Sequence, residues 1–217
     1  MSRFTDALDA LVDRHRRLGS SVPDYLRPGL DAPDVRSAIG ELGLNPTDEL
    51  VELFVWHDGL DAGAWPRGAG KAGFPRIWGD AFFAPLTVAV ETYRESIRID
   101  QVAAETELRA YGNAGPPTWN PEWFPAFSSG DETYGVDCGS SPDRGLVFDV
   151  WWHPEDVDNP TRARFKNLTL MMEAILRRFD EGAYTWNPEI RWFDFDDAIL
   201  DRLKTLELEE VATGDQT

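Results

Sequence analysis

The sequence has few of the residues that staple a fold or ligate a metal. Cys138 is the only cysteine among 217 residues, so no disulfide can form within the chain. The histidines His15, His57 and His153 lie far apart, with no i,i+4 pair and no cysteine neighbour, which is not the pattern of a zinc site. We therefore expect no metal and no cofactor, and a fold stabilised by its hydrophobic core.

Basic residues are also scarce. Lys and Arg number 21 against 39 Asp and Glu, which gives a formal net charge of −18 at pH 7. Because nucleic acids and anionic membranes are bound mainly through cations that neutralise phosphate, we expect neither as a partner. The same charge attracts basic proteins and accelerates their encounter, although a role in solubility alone explains it equally well.

Long apolar runs are missing as well. No stretch approaches the roughly 18 apolar residues that a membrane helix needs. Residues 1–8 carry an acid early and lack the apolar core of a signal peptide. These features predict a cytoplasmic protein. A length of 217 residues suits a single domain that buries about 70% of the surface of its unfolded chain.

Apolar residues at helical spacing recur along the chain, and caps or glycines mark the ends of each pattern. Asn45 is the expected N-cap of one helix, with Pro46 as its first residue and Gly59 as its stop. Asn167 caps the strongest pattern, which ends at Gly182. The predicted helices cover residues 4–18, 31–42, 46–58, 87–97, 167–182 and 196–203.

Three short strands are predicted in a row, over residues 123–127, 133–138 and 145–153. A turn rich in Gly, Ser and Pro joins the last two as a hairpin, and a further short strand is expected near residues 74–78. Helices followed by strands and then by helices indicate an α+β fold. We expect a single mainly antiparallel sheet with helices packed against it, above all the helix 167–182.

Two stretches carry short motifs in a fixed order. Residues 29–59 hold a small helix, a Leu-Gly-Leu link, a proline-started helix and a closing His-Asp-Gly turn. Residues 123–148 hold a Trp-x-Pro strand, an aromatic-x-x-Asp strand and a Gly-led strand. We call the residues at these positions the signature residues: Trp56, Asp58, Gly59, Trp123, Pro125, Asp137 and Gly145. With the helix ending at residues 178–184, they resemble the SUKH superfamily in its bacterial Smi/Knr-type branch.

The resemblance covers residues 25–185 and implies an α+β fold in which helices pack against a mainly antiparallel sheet. Bacterial members are chiefly immunity proteins that neutralise polymorphic toxins, fungal relatives regulate cell-wall assembly, and neither role involves catalysis by this domain. Residues 1–24 add an N-terminal helix, 186–208 a C-terminal extension with a short helix, and 209–217 a polar tail. The chain departs from the family pattern in an insertion at 61–80 and in this extension. The signature residues also have a plain structural interpretation, as core side chains, turn formers and hydrogen-bond acceptors.

No catalytic constellation emerges from the sequence. Residues 68–73 fit the string G-x-G-x-x-G, but they lack the strand before and the helix after that a dinucleotide site requires. Cys138 is better explained as a small hydrophobe at a strand end than as a nucleophile, and the acids at 194–197 as a cap for the next helix. We predict a protein without enzymatic activity. An unrecognised hydrolase is the least favoured hypothesis, since 39 acids make any carboxylate pair uninformative.

An acidic run follows the third predicted strand. Asp149 and Trp151 share one face of that strand, and the loop after it carries Glu155, Asp156 and Asp158. An aromatic anchor rimmed by acids is typical of a protein-binding patch; a solvated acidic loop beside a buried tryptophan is the alternative. The leading hypothesis is an immunity protein whose acids complement a toxin with a basic face, such as one that acts on nucleic acid. A regulatory or scaffold protein with a cellular partner is the second.

Overall fold

The computed structural model describes residues 2–66, 75–79, 81–105, 119–128, 132–151 and 163–213. The helices within these ranges are α1 (Arg3–Arg17), α2 (Ala32–Gly40), α3 (Asp48–Trp56), α4 (Leu86–Glu105), α5 (Leu168–Asp180) and α6 (Asp197–Thr213). The strands are β1 (Leu26–Pro28), β2 (His57–Leu60), β3 (Trp123–Ser128), β4 (Glu132–Asp137), β5 (Val147–Trp151), β6 (Ala163–Phe165), β7 (Tyr184–Asn187) and β8 (Trp192–Phe195). A 3-10 helix, Val22–Tyr25, connects α1 to β1.

The strands form three separate antiparallel sheets within the described part of the chain. β3, β4, β5 and β6 make a four-stranded sheet in that order, whereas β1 pairs with β2 and β7 with β8 as two-stranded ribbons. The α+β class is confirmed, and the prediction of a single sheet is wrong. The strands that the sequence did not reveal are three or four residues long, too short for alternation to stand out. The strand expected near 74–78 shrinks, in the described residues, to a bridge between Trp78 and Ala81.

The apolar stripe of α5 is buried as predicted, but its main partner is another helix. Met172, at the centre of the stripe, is 1% exposed. α5 packs chiefly along α1 and meets the four-stranded sheet mainly at its edge strand β6. Ion pairs between Arg3 and Glu173 (2.6 Å) and between Arg14 and Asp180 (2.8 Å) bridge the two helices. The expectation that α5 packs on the sheet is therefore met in part, mainly at β6, because the amphipathic face of α1 needs an apolar cover and α5 supplies it.

The start of α3 is set by Thr47 and not by Asn45. Thr47 Oγ1 accepts the backbone N–H of Leu50 at 3.2 Å, which is the hydrogen bond of an N-cap. α3 then gives way directly to β2, so Gly59 lies within a strand and is not the helix stop that the sequence predicted. α5, by contrast, is capped by Asn167 as predicted.

The described parts of the insertion at 61–80 and of the C-terminal extension, the two segments that depart from the SUKH pattern, pack on each other. The β7–β8 hairpin, which the sequence did not predict, places the guanidinium of Arg191 5.9 Å from the ring centre of Trp65. The ring of Trp192 lies 5.3 Å from the guanidinium of Arg76. Trp65 and Trp78 are 3% and 2% exposed. The tryptophans of the insertion therefore belong to the core and are not free to anchor a partner.

α6 is longer than the predicted final helix. It extends to Thr213, beyond residue 208, where a polar tail was expected. Asp196 caps it as predicted, because its Oδ1 accepts the backbone N–H of Ile199 at 3.1 Å. Leu203, within α6, is buried. None of the helices in the described residues is long and apolar enough to cross a membrane.

Candidate functional site

The signature pair Asp58–Gly59 holds the junction between β2 and α4. Asp58 is buried; its Oδ1 accepts the backbone N–H of Leu86 at 2.8 Å, at the start of α4, and its Oδ2 lies 2.9 Å from Arg27. Gly59 has φ +73°, and a Cβ there would lie 2.3 Å from the backbone nitrogen of Pro85. Only glycine fits both the dihedral and the space. Asp58 and Gly59 thus have structural roles.

The second group of signature residues closes the β3–β4–β5 hairpins. Trp123 stacks on Phe148 with ring centres 4.2 Å apart, and Pro125 is buried within β3. The carboxylate of Asp137 accepts the N–H two residues further along at 2.8 Å, an Asx turn. Gly145, at φ +97°, donates its N–H to the carbonyl of Asp137 at 2.9 Å. These four residues also build the fold and leave no exposed chemistry.

The structure describes only part of the acidic patch that the sequence predicts. Asp149 forms an ion pair with Arg164, and its side chain is 9% exposed, so it offers little surface to a partner. Trp151 ends β5 and pairs across the sheet with Glu132. The loop acids of the prediction lie outside the described residues: Glu155, Asp156 and Asp158.

A buried network of charges lies beside β6, where the sequence gave no indication of one. Glu207 of α6 accepts a forked pair of hydrogen bonds from Arg178 of α5, one of them at 3.0 Å, and lies 3.9 Å from Arg164. Burial disfavours the charge on Arg178, but the adjoining hydroxyl of Tyr184 and the carboxylate of Glu207 outweigh it and raise the pKa of Arg178. The charged side chains of this network contact one another, so the network holds α6 in place and is not an open site.

A concave site lies where α1, the 3-10 helix and the α3–β2 junction meet. Its volume is about 250 Å³. We call it the Trp56 hollow, after the signature residue that lines it. The lining residues are Asp9, Val12, Asp13, Arg16, Pro23, Leu26, Trp56 and His57.

Hydrogen bonds fix the aromatic wall of the Trp56 hollow. The indole Nε1–H of Trp56 donates to Oδ1 of Asp9 at 2.9 Å. The ring of His57 meets that of Trp56 edge-on, with centres 4.4 Å apart. Its Nδ1 lies 2.6 Å from the carbonyl of Arg27, and because a carbonyl only accepts, Nδ1 carries the proton. The wall is therefore held in one orientation before any ligand arrives.

The hollow offers carboxylate oxygens to a cation. Asp9 and Asp13 lie one turn apart on α1 and both line it. The second oxygen of Asp9 makes no hydrogen bond to any described residue. Asp13 pairs with Arg16 at 3.3 Å, but these side chains are 60% and 68% exposed, and such a pair contributes little stability. Carboxylates beside a fixed aromatic wall are an arrangement suited to binding a cation.

The other chemical candidates lie elsewhere. Burial raises the pKa of Cys138 to about 12, so its thiol is held in the unreactive form. The described residues hold no group of three or more His, Cys, Asp or Glu able to bind a metal ion, and Asp196 of the cluster at 194–197 caps α6. Residues 68–73 lie outside the described part of the chain.

Sequence reasoning missed the Trp56 hollow because its two walls come from distant segments. Asp9 and Trp56 are 47 residues apart, and no local pattern reports that α1 lies beside the α3–β2 junction. One indication was available: Asp9 and Asp13 share the polar face of an amphipathic helix, and their i,i+4 spacing places two acids together.

Comparison with known proteins assigns the chain to no family. No protein-family model matches the chain, and no curated protein matches its sequence. The SUKH resemblance therefore stays a prediction that rests on the signature residues and their order. The structure shows the local contacts of the signature residues, and their bearing on function is a proposal.

Proposed function

We propose that this protein is a non-catalytic binding protein of the SUKH-like immunity type, which neutralises a toxin by occluding its active site or substrate path. The observation that carries the proposal is the Trp56 hollow, a concave aromatic surface with carboxylates on its wall, in a chain of net charge −18. A surface of this sign complements a basic protein face. A toxin that acts on nucleic acid needs such a face for its own substrate.

The signature tetrapeptide from Trp56 to Gly59 supports the proposal because it serves the fold and the hollow together. Asp58 and Gly59 fix the turn into α4 through the Leu86 N–H and the close approach to Pro85. Trp56 and His57, next to them, line the hollow. A motif that is needed to build the fold therefore also positions the aromatic wall.

In this proposal the acidic charge raises the association rate, and the tryptophan slows dissociation. The excess of acids steers a basic partner and raises the association rate, an effect that salt screens over about 10 Å at 0.1 M. A half-buried tryptophan in a concave site is the kind of residue that dominates binding energy and slows dissociation. A cytoplasmic location, where such a toxin would be met, is part of the proposal.

Affinity capture followed by a growth assay tests the proposal. The full chain is immobilised, exposed to extract from its native host at about 0.05 M and about 0.5 M salt, and the bound proteins are identified by mass spectrometry. Each is then expressed alone and together with this protein. We expect a basic partner that binds at low salt, stops growth alone and is harmless in the pair.

Two other outcomes would contradict the immunity proposal. A captured partner that is harmless alone indicates the regulatory or scaffold role. A salt-insensitive acidic partner removes the charge argument. The variant Arg16→Gln has a more acidic surface, and when immobilised it should capture the same partner more strongly.

A further inference from the structure

The size of the Trp56 hollow suits one long side chain. Its volume of about 250 Å³ is below the roughly 300–1,000 Å³ of pockets that enclose a drug-sized ligand or cofactor. Asp13 and Arg16, which line the hollow, are mostly exposed, so a side chain that projects from a partner's surface has access to it. A hollow of this size is a place for an anchor residue of a protein partner.

The geometry of the hydrogen-bond acceptors favours a guanidinium. Asp9 and Asp13 present carboxylates one helical turn apart, and the Trp56 indole holds one oxygen of Asp9 while the other makes no hydrogen bond to the described residues. The planar guanidinium has five N–H donors and engages two acceptors at once, whereas an ammonium is a compact point charge. A guanidinium also stacks on tryptophan.

The hollow already carries a guanidinium on its rim. Nη1 of Arg16 lies 3.3 Å from Oδ1 of Asp13, and both residues line the hollow. The pair is three residues apart on one helix and its side chains are mostly exposed, so it is weak. An arginine that also gains Asp9 and the Trp56 ring makes more contacts than Arg16 does and displaces it from Asp13.

From these contacts we infer that the Trp56 hollow binds an arginine side chain of the protein partner, between the carboxylates of Asp9 and Asp13 and against Trp56. The inference rests on the proposed function and specifies its ligand. Asp9 and Asp13 are the charge acceptors, Trp56 is the stacking surface, and Arg16 is a competitor whose removal strengthens binding.

Nuclear magnetic resonance on the full chain with capped amino acids tests the site directly. The probe is N-acetyl-arginine amide, and the signal is the Nε1–H of Trp56 in ¹⁵N-labelled protein, assigned by its loss in Trp56→Phe. We expect a saturable shift with a dissociation constant of about a millimolar, as suits so small a ligand. N-acetyl-lysine amide should bind less tightly, and N-acetyl-citrulline amide, of the same shape without charge, should leave the signal unmoved.

Two matched variants of opposite effect sharpen the test. Asp9→Asn keeps an oxygen that accepts the N–H of the Trp56 indole and removes the charge, so it should weaken binding of the arginine probe about tenfold. Arg16→Gln should strengthen it severalfold. Equal binding of the arginine and citrulline probes, or an unchanged affinity in Asp9→Asn, would overturn the inference.

The failure of the inference is distinguishable from that of the proposed function. If the probe does not bind while a toxic partner is captured, the interface lies elsewhere and the function stands. If the probe binds but the captured partner is harmless, the arginine site stands and the immunity role fails.

Discussion

His15 of α1 lies 2.6 Å from the carbonyl oxygen of Ile77 through its Nε2. The carbonyl only accepts, so Nε2 carries the proton, and Nδ1 accepts from the hydroxyl of Ser20 at 3.0 Å. The ring is fully buried against Phe179 and Phe193. The neutral form satisfies both nitrogens, and burial lowers the pKa of His15 from 6.5 to about 4.

This pKa predicts an acid-sensitive contribution to stability. Between pH 6.5 and about 4 the unfolded chain binds a proton at this site and the folded chain does not, so stability falls as the pH is lowered through that window. The loss is about 3 kcal/mol when complete. Urea unfolding of the wild type and of His15→Gln, followed by tryptophan fluorescence at several pH values, measures it. Parallel pH profiles of the two proteins would contradict the assignment.

The two glycines Gly59 and Gly43 separate steric exclusion from backbone strain. Both have positive φ, +73° and +81°, but a Cβ on Gly59 meets Pro85 and Ala84 at 2.3–2.6 Å while one on Gly43 meets nothing within 4 Å. We expect Gly43→Ala to cost about 1–2 kcal/mol of unfolding free energy. Gly59→Ala should cost far more, on the order of 4 kcal/mol, because backbone must move. Chemical denaturation measures both, and equal costs would show that the close approach at Gly59 is wrong.

The burial of the Arg178–Glu207 pair predicts that substitutions of the two residues have strongly non-additive effects on stability. Glu207→Gln leaves the guanidinium without its charged partner and should cost about 3–5 kcal/mol. The double variant Arg178→Met with Glu207→Leu removes both charges and should unfold at a higher temperature than the single variant. Thermal melts compare these two variants with the wild type, and adding Arg178→Met alone and Glu207→Leu alone completes the cycle that gives the coupling energy. A single variant as stable as the wild type would mean that α6 does not depend on this pair.

Met172 tests the burial of the apolar stripe of α5. Met172→Asp places an unpaired charge in the buried stripe and should cost about 3 kcal/mol or more. Met172→Leu, of similar volume, is the matched control and should cost less than about 1.5 kcal/mol. Differential scanning calorimetry compares the two. An unchanged melting temperature in Met172→Asp would place that face of α5 at the surface.

The fold was predictable where a feature is local. The cap at Asn167, the stripe through Met172 and the hairpin before Gly145 all follow from spacing and turn chemistry within a few residues. The separate sheets were not predictable, because a three-residue strand such as β1 has no alternation to detect. The α1–α5 contact was also missed, since an apolar stripe indicates burial but not which element covers it.

The candidate site was likewise predictable in its local features and not in its contacts between distant segments. The signature residue Trp56 was identifiable from its motif, but its partner Asp9 is distant in sequence, so the hollow needed the structure. Asp149 shows the converse. Its place on a strand face suggested an exposed acid, and only the packing of β6 reveals Arg164 beside it. A charged residue in a sequence is a poor indicator of solvent exposure when its ion-pair partner lies on another strand or helix.

The dissociation rate of the captured partner from Asp9→Asn is the measurement that tests the account most directly. Surface-immobilised kinetics at low and high salt compare it with the wild type and with a reversal of Glu155, Asp156 and Asp158 to Lys. We expect the partner to dissociate from Asp9→Asn about tenfold faster, with an unchanged melting temperature of this variant, and we expect the loop reversal mainly to slow association at low salt. A folded Asp9→Asn that releases the partner at the wild-type rate would contradict the account and move the interface away from the Trp56 hollow.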